Sequence, residues 1–111
     1  MDLQINVIDE ISVVSISGNI LHEYVDSFKK TLVDLVNQER VKIVLDFGSS
    51  NYISSICLAT LIEIKKRVNE RGGDLKLSRI NKLLQDLLES TTLIRKFETF
   101  PDLESAVKSF T

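Results

Sequence analysis

Ser54 and Ser55 stand side by side just ahead of an apolar stripe at helical spacing, and Cys57 follows two residues later. A serine at a helix start can cap it, its hydroxyl accepting a backbone N–H bond worth about 1 kcal/mol. The same position suits a phosphoacceptor, because an added phosphate sits against exposed amides at the positive end of the helix dipole. The fold would tolerate such a group, while about two negative charges would appear on a surface that a partner has to cover. Cys57 falls in the first turn of the same helix, where the dipole can depress a thiol pKa and make it reactive. Flanked by Ile56 and Leu58, it reads first as a small core residue, the commoner place for a free cysteine. Asp46 ends a β-branched run and precedes Gly48-Ser49-Ser50-Asn51, at a strand end where open α/β sheets gather functional groups. A carboxylate there equally serves to cap loop amides. The single histidine, His22, has no cysteine or acidic cluster near it in sequence and reads as a solvated loop residue. Gly72-Gly73 fits neither GxGxxG nor GxxxxGKS/T and is helix-terminating punctuation. Metal-ligand spacings are absent. These groups offer modification and docking, not an assembled catalytic site, so no enzyme activity, metal or cofactor is expected.

The elements that must position these groups follow from periodicity. Leu3, Ile5 and Val7 alternate with polar residues, Asp9-Glu10 interrupts, and Ile11 to Ser17 resumes, which predicts a β-hairpin whose turn lacks glycine. Val25, Phe28, Leu32, Leu35 and Val36 predict an amphipathic helix from about Tyr24 to Gln38. Val41 to Leu45 is a nearly continuous apolar run of the kind found in buried central strands, ending at Asp46-Phe47. After the 48–51 loop, Leu58, Leu61, Ile62, Lys65 and Val68 predict the inward stripe of a second helix. Leu75 and Leu77 predict a short strand, and Ile80, Leu83, Leu84, Leu87 and Leu88 a third helix. Phe97 to Phe100 suits a last short strand. Thr99 and Asp102 bracket Phe100-Pro101 at capping spacing ahead of Leu103, Ala106, Val107 and Phe110, a fourth helix. The order β-β-α-β-α-β-α-β-α predicts an α/β fold, a mixed sheet of four to five strands with helices packed on it.

Composition sets the outer limits. A chain of 111 residues without a linker, repeat or compositional break is expected to be one domain, 1–111. A net charge of −2 argues against nucleic-acid binding, which needs a basic surface. One cysteine makes neither an internal disulfide nor a thiolate zinc site. With no apolar run of about 20 residues, direct membrane insertion is not expected, and the N-terminus has no signal-peptide profile, so the expected location is cytoplasmic.

The segment from Ile43-Val44-Leu45-Asp46-Phe47 to Tyr52-Ile53-Ser54-Ser55-Ile56-Cys57-Leu58-Ala59-Thr60-Leu61 resembles the strand–loop–helix signature of STAS domains, above all bacterial anti-sigma factor antagonists. Arg71-Gly72-Gly73-Asp74-Leu75-Lys76-Leu77 is similar to the family's turn and following strand. Leu87-Leu88-Glu89-Ser90-Thr91-Thr92-Leu93 with Phe97 is similar to a later stretch. The resemblance implies a STAS fold and a partner-switching regulator that does no chemistry itself. Such a module binds an anti-sigma factor that is also a serine protein kinase and so releases the sigma factor. Phosphorylation at the helix start abolishes binding, and a serine phosphatase restores it. Carried over, the docking surface takes in Asp46, Ser54, Ser55, Ile56, Cys57 and Leu58. Without gaps, the family's phosphoacceptor falls on Ile56 and its glycine on Cys57. Isoleucine cannot accept phosphate, which leaves a non-phosphorylatable relative or one using Ser55 or Ser54. The same two replacements motivate an alternative, a non-phosphorylated accessory or scaffold subunit of a transporter or sensory assembly. A thiol enzyme using Cys57 rests on its helix-start position alone.

Overall fold

A computed structural model describes residues 1–111, the side chains of Leu93 and Ile94 excepted. Leu93, part of the Thr91-Thr92-Leu93 resemblance, therefore has its side chain outside the described part. The hairpin is present: β1 (Asp2–Ile8) pairs antiparallel with β2 (Ile11–Ser17). Its turn places Asp9 at φ 49° and Glu10 at φ 70°, two left-handed residues in succession. That backbone matches the twist of the two strands, which is why the chain accepts it without glycine.

The remaining elements are α1 (Val25–Asn37), β3 (Lys42–Ser49), α2 (Ser55–Glu70), β4 (Asp74–Ser78), α3 (Lys82–Ser90), β5 (Thr99–Phe100) and α4 (Leu103–Lys108). The five strands lie in the order β1-β2-β3-β4-β5, antiparallel in the first pair and parallel in the others. The expected mixed α/β sheet is thus observed, with the short last strand included.

Alternation along the strands divides the core between the two faces of the sheet. Val14, Ile16, Ile43, Leu45, Leu75 and Leu77 point to the face covered by α1, α2 and α3, where Phe28, Leu32, Leu61, Ile64 and Leu84 meet them. Ile11, Val13 and Val44 point the other way, under Ala106 and Val107 of α4. The large core therefore lies beneath α2 and fixes the helix that begins at Ser55.

Three expectations change. The central strand runs on through Gly48-Ser49, so the loop after it starts later than composition suggests. A parallel neighbour holds it there: the Gly18 N–H donates to the Ser49 carbonyl at 2.9 Å. On α2 the buried stripe uses Ile64, not Lys65. Lys65 instead pairs with Asp74 at 2.6 Å with its amine 5.8 Å from the Phe97 ring centre, so stem and charge are both occupied. The third helix starts at Lys82, with Asn81 as its cap accepting the Leu84 N–H at 2.8 Å. Ile80 precedes it, and Leu83 points outward, 64% exposed.

Candidate functional site

The chain enters α2 pinned on its flank. Ile20 and Ile53 form a parallel bridge, the Ile20 N–H donating to the Tyr52 carbonyl and the Ser54 N–H to the Ile20 carbonyl, both at 2.8 Å. Ser54 has extended geometry (φ −70°, ψ 158°), and its hydroxyl accepts the Cys57 N–H at 3.4 Å. Ser54 is therefore the cap, and Ser55 is the first helical residue.

This geometry sorts the six sequence-identified docking residues by accessibility. Ser55 is exposed and Ile56 is 41% exposed, whereas Ser54, Cys57 and Leu58 are buried at 7%, 0% and 3%. Cys57 points into the core, its sulfur 3.9 Å from the Leu21 carbonyl. A residue without exposure cannot meet a docking partner directly. Ser54, Cys57 and Leu58 instead seat the turn that lifts Ser55 and Ile56 to the surface.

Asp46 is also buried, 2% exposed, and on the α4 face of the sheet. Its Oδ1 accepts the Arg79 Nε–H at 2.8 Å, the Ser78 hydroxyl at 3.3 Å and the Gly48 N–H at 3.2 Å, and its Oδ2 accepts the Arg79 Nη2–H at 2.6 Å. The Asp46 carboxylate pushes the Arg79 guanidinium pKa up, first through the hydrogen bonds and then through charge. The carboxylate does cap a nearby amide, but that amide belongs to Gly48 within β3 and not to the loop that the sequence reading of Asp46 expects. The paired guanidinium lies close over Gly48, where a Cβ would collide with it.

Around Ser55 and Ile56, the surface includes Leu21 at 38% and Tyr52 at 41% exposure, on the two segments joined by the Ile20–Ile53 bridge. The loops that follow β2, β3 and β4 are stitched together at this end. The Asn51 N–H donates to Asn19 Oδ1 at 3.3 Å, and the Asn81 amide donates to the Ser50 carbonyl at 3.4 Å and to the Asn51 side chain. This is the carboxyl end of the parallel strands, the usual place for functional surfaces in open α/β sheets. His22 lies exposed in the short 3-10 turn next to Leu21. Neither Leu21 nor Tyr52 stands out by type or spacing, because an isolated apolar residue in a loop carries no periodic signal. Nor does Arg79, whose partner Asp46 lies 33 positions earlier in the chain, while Asn81 joins its local cap of Leu84 to contacts about thirty positions earlier, at Ser50 and Asn51.

Among the described residues no three His, Cys, Asp or Glu side chains come together as a metal site, and no helix is long and apolar enough to cross a membrane. What this end of the molecule presents is an exposed hydroxyl at a capped helix start, with Ile56, Leu21 and Tyr52 exposed on that helix and on the segments bridged ahead of it. Such a surface can be covered by a partner and altered by one added charge.

Residues 2–106 match the family model described as STAS domain. A protein of Bordetella bronchiseptica named as an anti-sigma factor antagonist, BtrV, is 23% identical over 110 residues, spanning 99% of this chain and 95% of its own. A Thermotoga maritima protein described as an anti-sigma factor antagonist superposes with a TM-score of 0.91 at 22% identity, covering 96% of this chain and 92% of that one. A sulfate transporter family protein from Wolinella succinogenes superposes with a TM-score of 0.78 at 20% identity, covering 94% and 87%.

Proposed function

Because the chain belongs to the STAS domain family, we propose that it works as an anti-sigma factor antagonist, docking an anti-sigma factor onto the start of α2. The observation that carries this reading is the division at that helix start. Ser55 and Ile56 face outward beside Leu21 and Tyr52, while Ser54, Cys57 and Leu58 are turned into the fold. A partner that covers Leu21, Tyr52 and Ile56 removes apolar area from water at about 25 cal/mol per Å². The partner is a serine kinase that brings its own ATP, and the exchange takes place in the cytoplasm without chemistry by this domain.

The switch rests on Ser55. Ile56 occupies the family's acceptor position and has no hydroxyl, and the Ser54 hydroxyl is buried against the Cys57 N–H. A phosphate on Ser55 would place about two negative charges beside apolar side chains that the partner must desolvate. Binding is then lost, and a serine phosphatase restores it.

The test incubates the chain with the cognate kinase and ATP and measures intact mass, the modified peptide and kinase affinity. One phosphate on Ser55 with loss of binding supports the switch. Binding without any phosphate makes the domain a constitutive antagonist, and failure to bind any sigma-regulating kinase overturns the reading. Ile56 at the acceptor position favours a second reading, a scaffold or accessory subunit of a transporter or sensory assembly. Native pull-down that returns transporter subunits or other STAS domains, without a kinase, would select it.

A further inference from the structure

The long edge strand of the sheet is β1, the other edge being the two-residue β5, and among the described residues no strand pairs with the outer side of β1. Such edges are usually blunted by a charge, a proline, a bulge or a covering element, because unpaired backbone N–H and C=O groups recruit other strands. β1 has none of these within its interior: Leu3-Gln4-Ile5-Asn6-Val7 carries no charge and no proline, and its pairing with β2 is regular over all seven residues. Leu3, Ile5 and Val7 share the face of the sheet that α1, α2 and α3 cover, as their pairing with Ile16, Val14 and Ser12 shows. The helices do not reach the strand's far half, and Ile5 and Val7 stay 43% and 51% exposed.

We propose that this edge is an interface between two copies of the chain, β1 pairing antiparallel with β1 of a second copy about a two-fold axis at Ile5. The strand is self-complementary in that register, and Ile5 is its midpoint. With Ile5 opposite Ile5, Leu3 falls opposite Val7 and Gln4 opposite Asn6. Apolar side chains then meet on one face and amides on the other, at the Cβ separations of about 4.5–5.5 Å that make cross-strand pairs favourable. Asp2 falls opposite Ile8, so no like charges face each other, and an uncharged interior lets an identical strand approach without repulsion. A shift of two residues in either direction keeps the faces matched but leaves part of the strand unpaired, which selects the central register. The interface uses none of the residues at the start of α2.

Sedimentation equilibrium over a range of concentrations tests the pairing on the unmodified chain, with Ile5→Lys and two single-cysteine additions as variants. The expected result is a concentration-dependent dimer that Ile5→Lys weakens about tenfold or more, since two lysines would meet on the axis. Under mild oxidation, Ile5→Cys should give a disulfide-linked dimer, because the added thiols face each other. Asn6→Cys should give far less, its counterpart being Gln4. Circular dichroism checks that each variant is folded, and Val7→Lys replaces Ile5→Lys if the latter is not. A chain that stays monomeric throughout, a dimer indifferent to the lysine variant, or equal cross-linking by both cysteine variants overturns the proposal.

Discussion

Asp46 of β3 and Arg79, the residue that follows β4, form a two-bond ion pair, each carboxylate oxygen accepting one guanidinium N–H, at 2.8 and 2.6 Å. The pair is asymmetric, with the Asp46 side chain 3% exposed and the Arg79 side chain 52%. Removing the arginine therefore does more damage than the bond count suggests. Arg79→Ala leaves a buried carboxylate held only by Ser78 and Gly48, and the expected loss is about 2–3 kcal/mol. This lies below the usual 3–5 kcal/mol for breaking a fully buried pair, because water can enter where the guanidinium was. Asp46→Ala combined with Arg79→Ala should cost less than the two single losses added together. Urea denaturation of the four proteins in a double-mutant cycle measures this coupling.

Lys76 is the second buried charge, 8% exposed at the side chain beneath α4. Its amine donates to the Ser109 hydroxyl at 2.8 Å and the Ser109 carbonyl at 3.3 Å, and it lies 4.3 Å from the Phe110 ring centre. α4 is only six residues long, and this cation ties down its C-terminal end together with the packing of Val107 and Phe110. Lys76→Met keeps the apolar stem and loses the bonds and the ring contact, an expected cost of about 1–2 kcal/mol. Lys76→Glu puts like charge near Glu98 and the helix carbonyls, and about 3 kcal/mol or more should be lost. Hydrogen exchange should show protection falling first in α4 in both variants.

The order of the longer strands and helices was legible because they carry a clear period, and the Asp9-Glu10 turn because charge breaks an apolar alternation. The boundaries that moved are those set by partners distant in the chain. Gly48-Ser49 reads as loop by residue type but is held in β3 by β2. Leu83 fits a helical stripe, yet Asn81 fixes where α3 begins and so turns Leu83 outward. Gly72-Gly73 was readable as a helix stop only in part. Gly72 takes the left-handed conformation at φ 81°, whereas Gly73 is small because the Val41 backbone packs against it. At the site, the residue types at Ser54 and Ser55 suggested capping and modification together. Only the geometry assigns the cap to Ser54 and leaves Ser55 exposed.

Acid should loosen α4 through its cap. The Asp102 carboxylate accepts the Ser105 N–H at 2.7 Å, and that bond holds its pKa below the ordinary carboxylate value. A depressed carboxylate stabilises the fold fully above its unfolded pKa, and the contribution is lost as pH falls through the lowered folded value. The window therefore lies below about pH 4. Glu63 acts in the same sense, held down first by Lys29 on α1 and then by Arg67. Asp102→Asn keeps an acceptor for Ser105 and should flatten the pH dependence of stability in that window. The chemical shift of the Ser105 amide, followed from neutral to acid pH, should titrate in the parent chain and not in the variant.

Under the proposed docking, the start of α2 should separate stability from recognition between adjacent serines. Ser54→Ala removes the cap and should cost about 1 kcal/mol in urea denaturation, while Ser55→Ala should stay within about 0.5 kcal/mol of the parent. In kinase binding the order should reverse. Ser55→Asp places a negative charge in the first turn, where the helix dipole favours it, so the fold should be undiminished. The same charge beside Ile56, Leu21 and Tyr52 must be desolvated when the partner covers them, and affinity should fall about tenfold or more. Ile56→Asp should weaken binding at least as much, because it also removes apolar area exposed for contact. Ile56→Ser supplies a hydroxyl where the family resemblance puts the phosphoacceptor, and under the proposed function the kinase should then add phosphate there, detectable by peptide mapping. Unchanged affinity of the folded Ser55→Asp and Ile56→Asp variants, measured by calorimetry, would move the docking surface away from this helix start.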